Sequence, residues 1–125
     1  MKIRIKGNTI RYRLTKTEVA DFGQQGFVEE KTEFPNGPAL HYRIERKAGI
    51  ADMETSFKGN SICIFIPEKI AEEWTTTDII GFSHKEAMEN GKELFLLIEK
   101  DFVCLDETTE DQSDNYENPN KTLKT

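Results

Sequence analysis

The sequence predicts an α+β fold, mostly β, in which two pseudo-symmetric hairpin-helix-strand-strand repeats form one domain. Three observations carry that prediction. Apolar residues alternate at strand period in several short runs. Gly-Asn and Asn-Gly turns separate those runs. One stretch, Lys6-Gly7-Asn8-Thr9-Ile10, returns 52 positions later as Lys58-Gly59-Asn60-Ser61-Ile62.

In the first half, Ile3 and Ile5 alternate with Lys and Arg as a strand. Gly7-Asn8-Thr9 supplies the turn. Ile10, Tyr12 and Leu14 mark one face of the next strand, with Arg11 and Arg13 on the other. Thr15-Lys16-Thr17-Glu18 has the form of a capping box. The helix behind it places Val19 and Phe22 on one face, and Gly26 is its stop. A strand starts near Phe27. Pro35-Asn36-Gly37-Pro38 is turn chemistry, and Leu40, Tyr42 and Ile44 alternate beyond it.

The second half begins near Ala48-Gly49. Met53, Thr55 and Phe57 alternate into the turn Lys58-Gly59-Asn60-Ser61. Ile62, Ile64 and Ile66 form a strand face, and Cys63 with Phe65 predicts that this strand is covered on both sides. Pro67 suits the first helical position, and Ile70 with Trp74 points to the core. Ile79, Ile80 and Phe82 predict a strand, residues 83–92 a polar connection, and Leu94 to Ile98 a buried strand.

The offset of 52 also brings Tyr12 to Ile64, Leu14 to Ile66, Phe22 to Trp74, and Phe27-Val28 to Ile79-Ile80. With a slip of two, Asn36-Gly37 meets Asn90-Gly91, and Leu40, Ile44 and Glu45 meet Leu94, Ile98 and Glu99. Each half alone is too short for a large core, so the two are expected to pair about a pseudo-twofold axis. The predicted organisation is a single domain over 1–105, with repeats at about 1–47 and 53–100. An acidic, poorly ordered arm follows over 106–125.

The chain has 125 residues and a net charge of −6, but the charge is divided. Residues 1–50 carry 10 basic and 6 acidic side chains; residues 51–125 carry 7 and 17. A uniform acidic surface would exclude phosphate binding, whereas a basic half does not. The bland reading is a basic sheet edge and a solvated acidic tail. No apolar run reaches the ~20 residues that span a bilayer, and the start lacks a signal-peptide core. Cys63 and Cys104 stand far apart, which fits a reducing cytoplasm and no disulfide framework.

The run Gly59-Asn60-Ser61-Ile62-Cys63-Ile64-Phe65-Ile66-Pro67, with the helix and Asn-Gly hairpin after it, resembles the AbrB/MazE family of swapped-hairpin DNA-binding domains. The resemblance covers about 54–100, and more weakly 2–46. It implies an AbrB-like intertwined β domain, normally made by two identical chains, built here from one. The opening and Glu99-Lys100-Asp101-Phe102 also resemble small bacterial proteins of unassigned function. In AbrB/MazE proteins basic residues of the hairpin face contact DNA. The matching residues here are Arg13, with Arg4, Lys6 and Arg11 nearby. The second half has Phe65 and Cys63 in their place, while in the first half Leu14-Thr15 replaces Ile-Pro. The half that keeps the motif has lost the charges. MazE-like antitoxins also carry an acidic C-terminal segment that wraps a toxin. Residues 101–125 are acidic, with apolar anchors at Phe102, Val103, Leu105 and Tyr116. A tail folded back on the basic strand face is the competing expectation.

Catalytic chemistry is thin. His41 is expected on an exposed strand position and His84 in a connection, which leaves neither placed as a base or ligand. Cys104 reads as a small hydrophobe rather than a nucleophile. No phosphate loop, Ser elbow or His-Glu metal motif occurs. The expectation is a non-enzymatic regulator or antitoxin-like protein with no cofactor or metal, a monomer or weak dimer off the membrane. Double-stranded DNA would bind at Arg4, Lys6, Arg11 and Arg13, and a protein at Phe102, Leu105 and Tyr116. The alternative is a protein-interaction module that keeps the scaffold and does not bind DNA. A third reading is a small-ligand or metal binder using Cys104 and the tail carboxylates. The state of Arg11 and Arg13 separates the first two: internal ion pairing weakens the nucleic-acid reading.

Overall fold

The computed structural model describes residues 1–102, 114 and 116. Strands β1 (Lys2–Lys6) and β2 (Thr9–Leu14) form a hairpin, followed by α1 (Lys16–Gln25), β3 (Phe27–Thr32) and β4 (Leu40–Lys47). The order then returns: β5 (Glu54–Lys58), β6 (Ser61–Pro67), α2 (Glu68–Thr76), β7 (Gly81–Ala87) and β8 (Glu93–Lys100). The described residues are mostly β, with two four-stranded sheets and two helices.

The sheets interleave the chain. One has the order β1-β2-β8-β7 and the other β3-β4-β6-β5. Each joins an early hairpin to a late one through a central parallel pair: β2 lies on β8 and β4 on β6. Tyr12, Leu14, Leu96 and Ile98 of the first sheet, and Ile44, Ile62, Ile64 and Ile66 of the second, are buried in one shared cluster. The helices close it. Phe22 of α1 and Trp74 of α2 are fully buried and meet edge to face at 6.0 Å. Trp74 meets Phe82 at 5.4 Å and donates its Nε1–H to the Ile80 carbonyl. Burying such rings removes the largest apolar areas in the chain from water.

The capping box forms as the sequence predicts. The Thr15 side chain accepts from Glu18 N, and Glu18 reaches back to Thr15 N at 2.9 Å. Gly26 ends α1 at φ 86°, a left-handed position that favours glycine.

Several expectations need correction. Pro67 closes β6 and caps α2 rather than opening it. Cys63 and Phe65 are half-buried, so the outward side of β6 is not covered by another layer. The Lys47 side chain reaches over it, with Nζ 4.9 Å from the Phe65 ring centre. The strand predicted from Ile79 begins at Gly81, and Ile79 and Ile80 are exposed. The Ile80 carbonyl is instead committed to Trp74 and to Lys100 N. The connection predicted over 83–92 is strand as far as Ala87. An edge strand with one solvated side reads as polar. Of the arm predicted over 106–125, only Asp114 and Tyr116 fall among the described residues.

Candidate functional site

The four basic residues singled out from the sequence come together. In the first sheet, Lys2 is opposite Arg13 and Arg4 is opposite Arg11. Arg11 in turn is beside Leu97, and Arg13 beside Glu99. Thr9 pairs with Phe95, which pairs with Lys85. The inward partners of these rows are core residues, so strand alternation turns Lys2, Arg4, Lys6, Arg11, Arg13, Phe95, Leu97, Glu99 and Lys85 to the outer face. Phe95 and Leu97 are half-buried at its centre, with cations on both sides. A groove of about 370 Å³ runs along Lys2, Arg4, Arg11 and Arg13. A second, of about 210 Å³, lies between Arg4, Lys6, Arg11 and Leu97.

Like charges directly opposite on neighbouring strands destabilise a sheet. This sheet carries two such pairs side by side, Lys2/Arg13 and Arg4/Arg11. One carboxylate answers two of those charges: Nε of Arg11 and Nε of Arg13 each donate to Glu99 Oε1 at 2.6 Å. Lys2 Nζ sits 3.1 Å from the buried carboxylate of Asp101. Among the described residues, Arg4 and Lys6 have no ion-pair partner. The second sheet is different on its outer face. There Glu29, Glu45 and Arg43 form a compact neutralising set, with Arg43 Nε 2.9 Å from Glu45.

Glu99, Lys85, Phe95 and Leu97 were not assigned to the site from sequence. Leu94 to Ile98 is apolar at every position, so the outward residues of β8 could not be told from the inward ones.

The tail anchors are placed only in part. Phe102 and Tyr116 meet each other at 5.6 Å, paired as an isolated parallel bridge. Leu105, Val103 and Cys104 lie outside the described residues. His41 and His84 lie on different sheets, β4 and β7. His41 is half-buried, with Nδ1 3.8 Å from Glu29. His84 is on β7, a strand position and not a connection. Burial, with Glu45 adding, pushes the Cys63 thiol up to about 11. Among the described residues, no three His, Cys, Asp or Glu side chains converge as metal ligands, and no helix is long and apolar enough to cross a membrane.

Comparison with known proteins adds one relationship. Neither a curated protein nor a solved structure matches the chain. A family model described only as a family of unknown function, DUF7009, matches residues 1–120. With nearly the whole chain inside that match, the protein belongs to the DUF7009 family.

Proposed function

We propose that the chain is a non-enzymatic protein-interaction module built as a tandem, single-chain version of the AbrB/MazE swapped-hairpin scaffold. In this reading the outer face of the first sheet docks an acidic partner protein.

The strand registers support the tandem scaffold. Thr9 pairs with Phe95 and Tyr12 with Ile98. The offset of 52 carries Thr9 to Ser61 and Tyr12 to Ile64. An offset of 54 carries His41 to Phe95 and Ile44 to Ile98. Ser61 does pair with His41, and Ile64 with Ile44. The same offset of 54 carries the Phe27/Glu45 pair to Gly81/Glu99. The two-residue slip therefore falls between helix and strand, earlier than the Asn-Gly turns suggest.

The observation that carries the interaction reading is Glu99 between Arg11 and Arg13. A carboxylate set among the cations of a basic face repels a phosphate backbone and consumes two of its arginines. Protein interfaces instead combine an apolar centre with a polar rim and are enriched in aromatic residues and arginine. Phe95 and Leu97, flanked by Lys85 and Arg11, have that composition. The absence of a matching basic face on the second sheet removes one arm of a symmetric duplex site. Among the described residues, the raised Cys63 thiol and the histidines on separate sheets form no nucleophile-base pair.

Nucleic-acid binding is the second reading, favoured by Arg4 and Lys6, whose charges are unanswered among the described residues. Duplex DNA of random sequence, titrated at low and moderate salt, separates the two. The interaction reading expects no saturable binding from the full chain. A complex that weakens steeply with salt would put nucleic acid in its place. Affinity capture with the full chain and with Arg4→Glu/Lys6→Glu tests the docking face. An identical partner set from both would remove that face as the docking surface.

A further inference from the structure

A second surface lies at the C-terminal end of β8, beside Asp114 and Tyr116. Three backbone N–H groups donate there. Lys16 N donates to the Asp114 carbonyl at 3.0 Å. Thr17 N and Thr17 Oγ1 both donate to Asp114 Oδ1, at 3.2 and 2.9 Å. Tyr116 N donates to the Asp101 carbonyl at 2.7 Å. The Tyr116 ring then rests against Phe102, with Lys100 Nζ 5.3 Å and Lys16 Nζ 6.0 Å from its centre. The domain supplies the Lys16 and Thr17 donors, the Asp101 carbonyl, both cations and the Phe102 edge. Among the described residues, the tail supplies Asp114, which accepts, and Tyr116, whose N–H is the remaining donor.

We infer that this notch is a peptide-binding site for an acidic residue two positions before an aromatic one, and that Asp114 and Tyr116 are its resident, exchangeable occupants. The occupant it is built to take in exchange is a partner protein's segment of that pattern. Asp114 and Tyr116 stand two positions apart, and that is the spacing the notch reads. Recognition combines backbone pairing beside a strand end with a carboxylate at the first turn of a helix. Tyrosine under two ammonium groups adds a cation–π component. Charge complementarity selects an acidic ligand, because Lys16 and Lys100 flank the aromatic subsite.

Among the described residues, a cavity of about 410 Å³ borders Tyr116 and Phe102 and runs along Thr75, Thr77 and Asp78 to Lys100. This inference is independent of the sheet-face reading, since none of its residues lies in the Arg4/Arg11 grooves.

Residues 111–118, as a synthetic peptide, are the probe. Tethering holds the resident at high local concentration, so the wild-type chain should bind the peptide weakly. Full-length Asp114→Ala/Tyr116→Ala should bind it at least about tenfold more tightly, the factor expected when a site nine-tenths closed is opened. Adding Thr17→Ala should remove most of that gain. Asp114→Asn/Tyr116→Leu is the milder pair if the first variant unfolds. No gain from an emptied notch would overturn the inference. So would equal binding of a peptide with its Asp and Tyr exchanged. Concentration-dependent dimers of the wild-type chain that the variant lacks would assign the notch to a second copy and overturn the partner segment.

Discussion

Glu99 is the counter-ion of two arginines that face a third basic row, so its removal has two effects. Its carboxylate is largely shielded, while Arg13 is more than a third exposed and partly screened by water. Glu99→Gln should therefore cost only about 1 kcal/mol in urea unfolding. It should also raise retention on an anionic resin, because Arg11 and Arg13 lose their internal partner. Unchanged retention would mean that the two guanidinium groups are already available to an outside anion. The glycine opposite Glu99 matters for a different reason. A Cβ on Gly81 would lie 2.5 Å from the Ile98 carbonyl oxygen and 2.8 Å from Glu99 Cβ. Neither neighbour is the free end of a flexible chain. Gly81→Ala should destabilise by about 1–3 kcal/mol through overpacking, read as a fall in the urea midpoint. A wild-type midpoint would show that β7 can shift at its first residue without cost.

At the scale of elements, α1 joins the domain to the tail. Hydrogen bonds from the side chains of Thr15 and Thr17, and from Thr17 N, hold the Asp114 carboxyl below the usual carboxylate range. A carboxyl with a depressed folded value favours the docked state above its ordinary pKa, and that contribution disappears as pH falls through the lower folded value. Tail docking should thus be flat from pH 5 to 8 and weaken only in stronger acid. Hydrogen exchange at the Tyr116 amide, which is bound to Asp101, reads this directly. Release between pH 5 and 8 would exclude Asp114 as the anchor. Thr15→Ala should cost about 1 kcal/mol by opening the helix cap. The helix and its stop were legible because caps are local: Thr15, Glu18 and Gly26 act within one element. The Gly-Asn turns and the inward faces of β2, β4 and β6 were legible for the same reason. The start of β7 was not, because the Ile80 carbonyl is fixed by Trp74 and Lys100, contacts that no local pattern contains. Alternation placed Arg11 and Arg13 on the outward face of their strand, and the family resemblance singled out the basic set. Their counter-ion could not be named, since Glu99 reaches Arg11 only through the parallel pairing of β2 with β8, more than eighty residues apart in the chain.

The whole molecule follows from that pairing. β1 and β2 share no sheet with β3 and β4, and β5 and β6 share none with β7 and β8. Either half alone would leave two isolated hairpins and a helix, and a lone hairpin is marginally stable in water. Residues 1–50 and 51–125, prepared as separate chains, should each lack near-ultraviolet circular dichroism. Mixed at equal concentration, they should recover it. Trp74 reports the event, since its indole is fully buried and meets Phe22 of the other half. The charge division sets the preference between partners. The first half carries 10 basic and 6 acidic side chains and the second 7 and 17. Opposite signs attract the two halves, whereas two copies of the acidic half repel one another. If the halves are tandem copies of one scaffold, the acidic half should self-pair only when salt screens that repulsion. Added salt should then weaken the mixed complex and strengthen the homodimer. A native signal from either fragment alone at low concentration would place the core within one half, and the interleaved assembly would not be what holds the fold together.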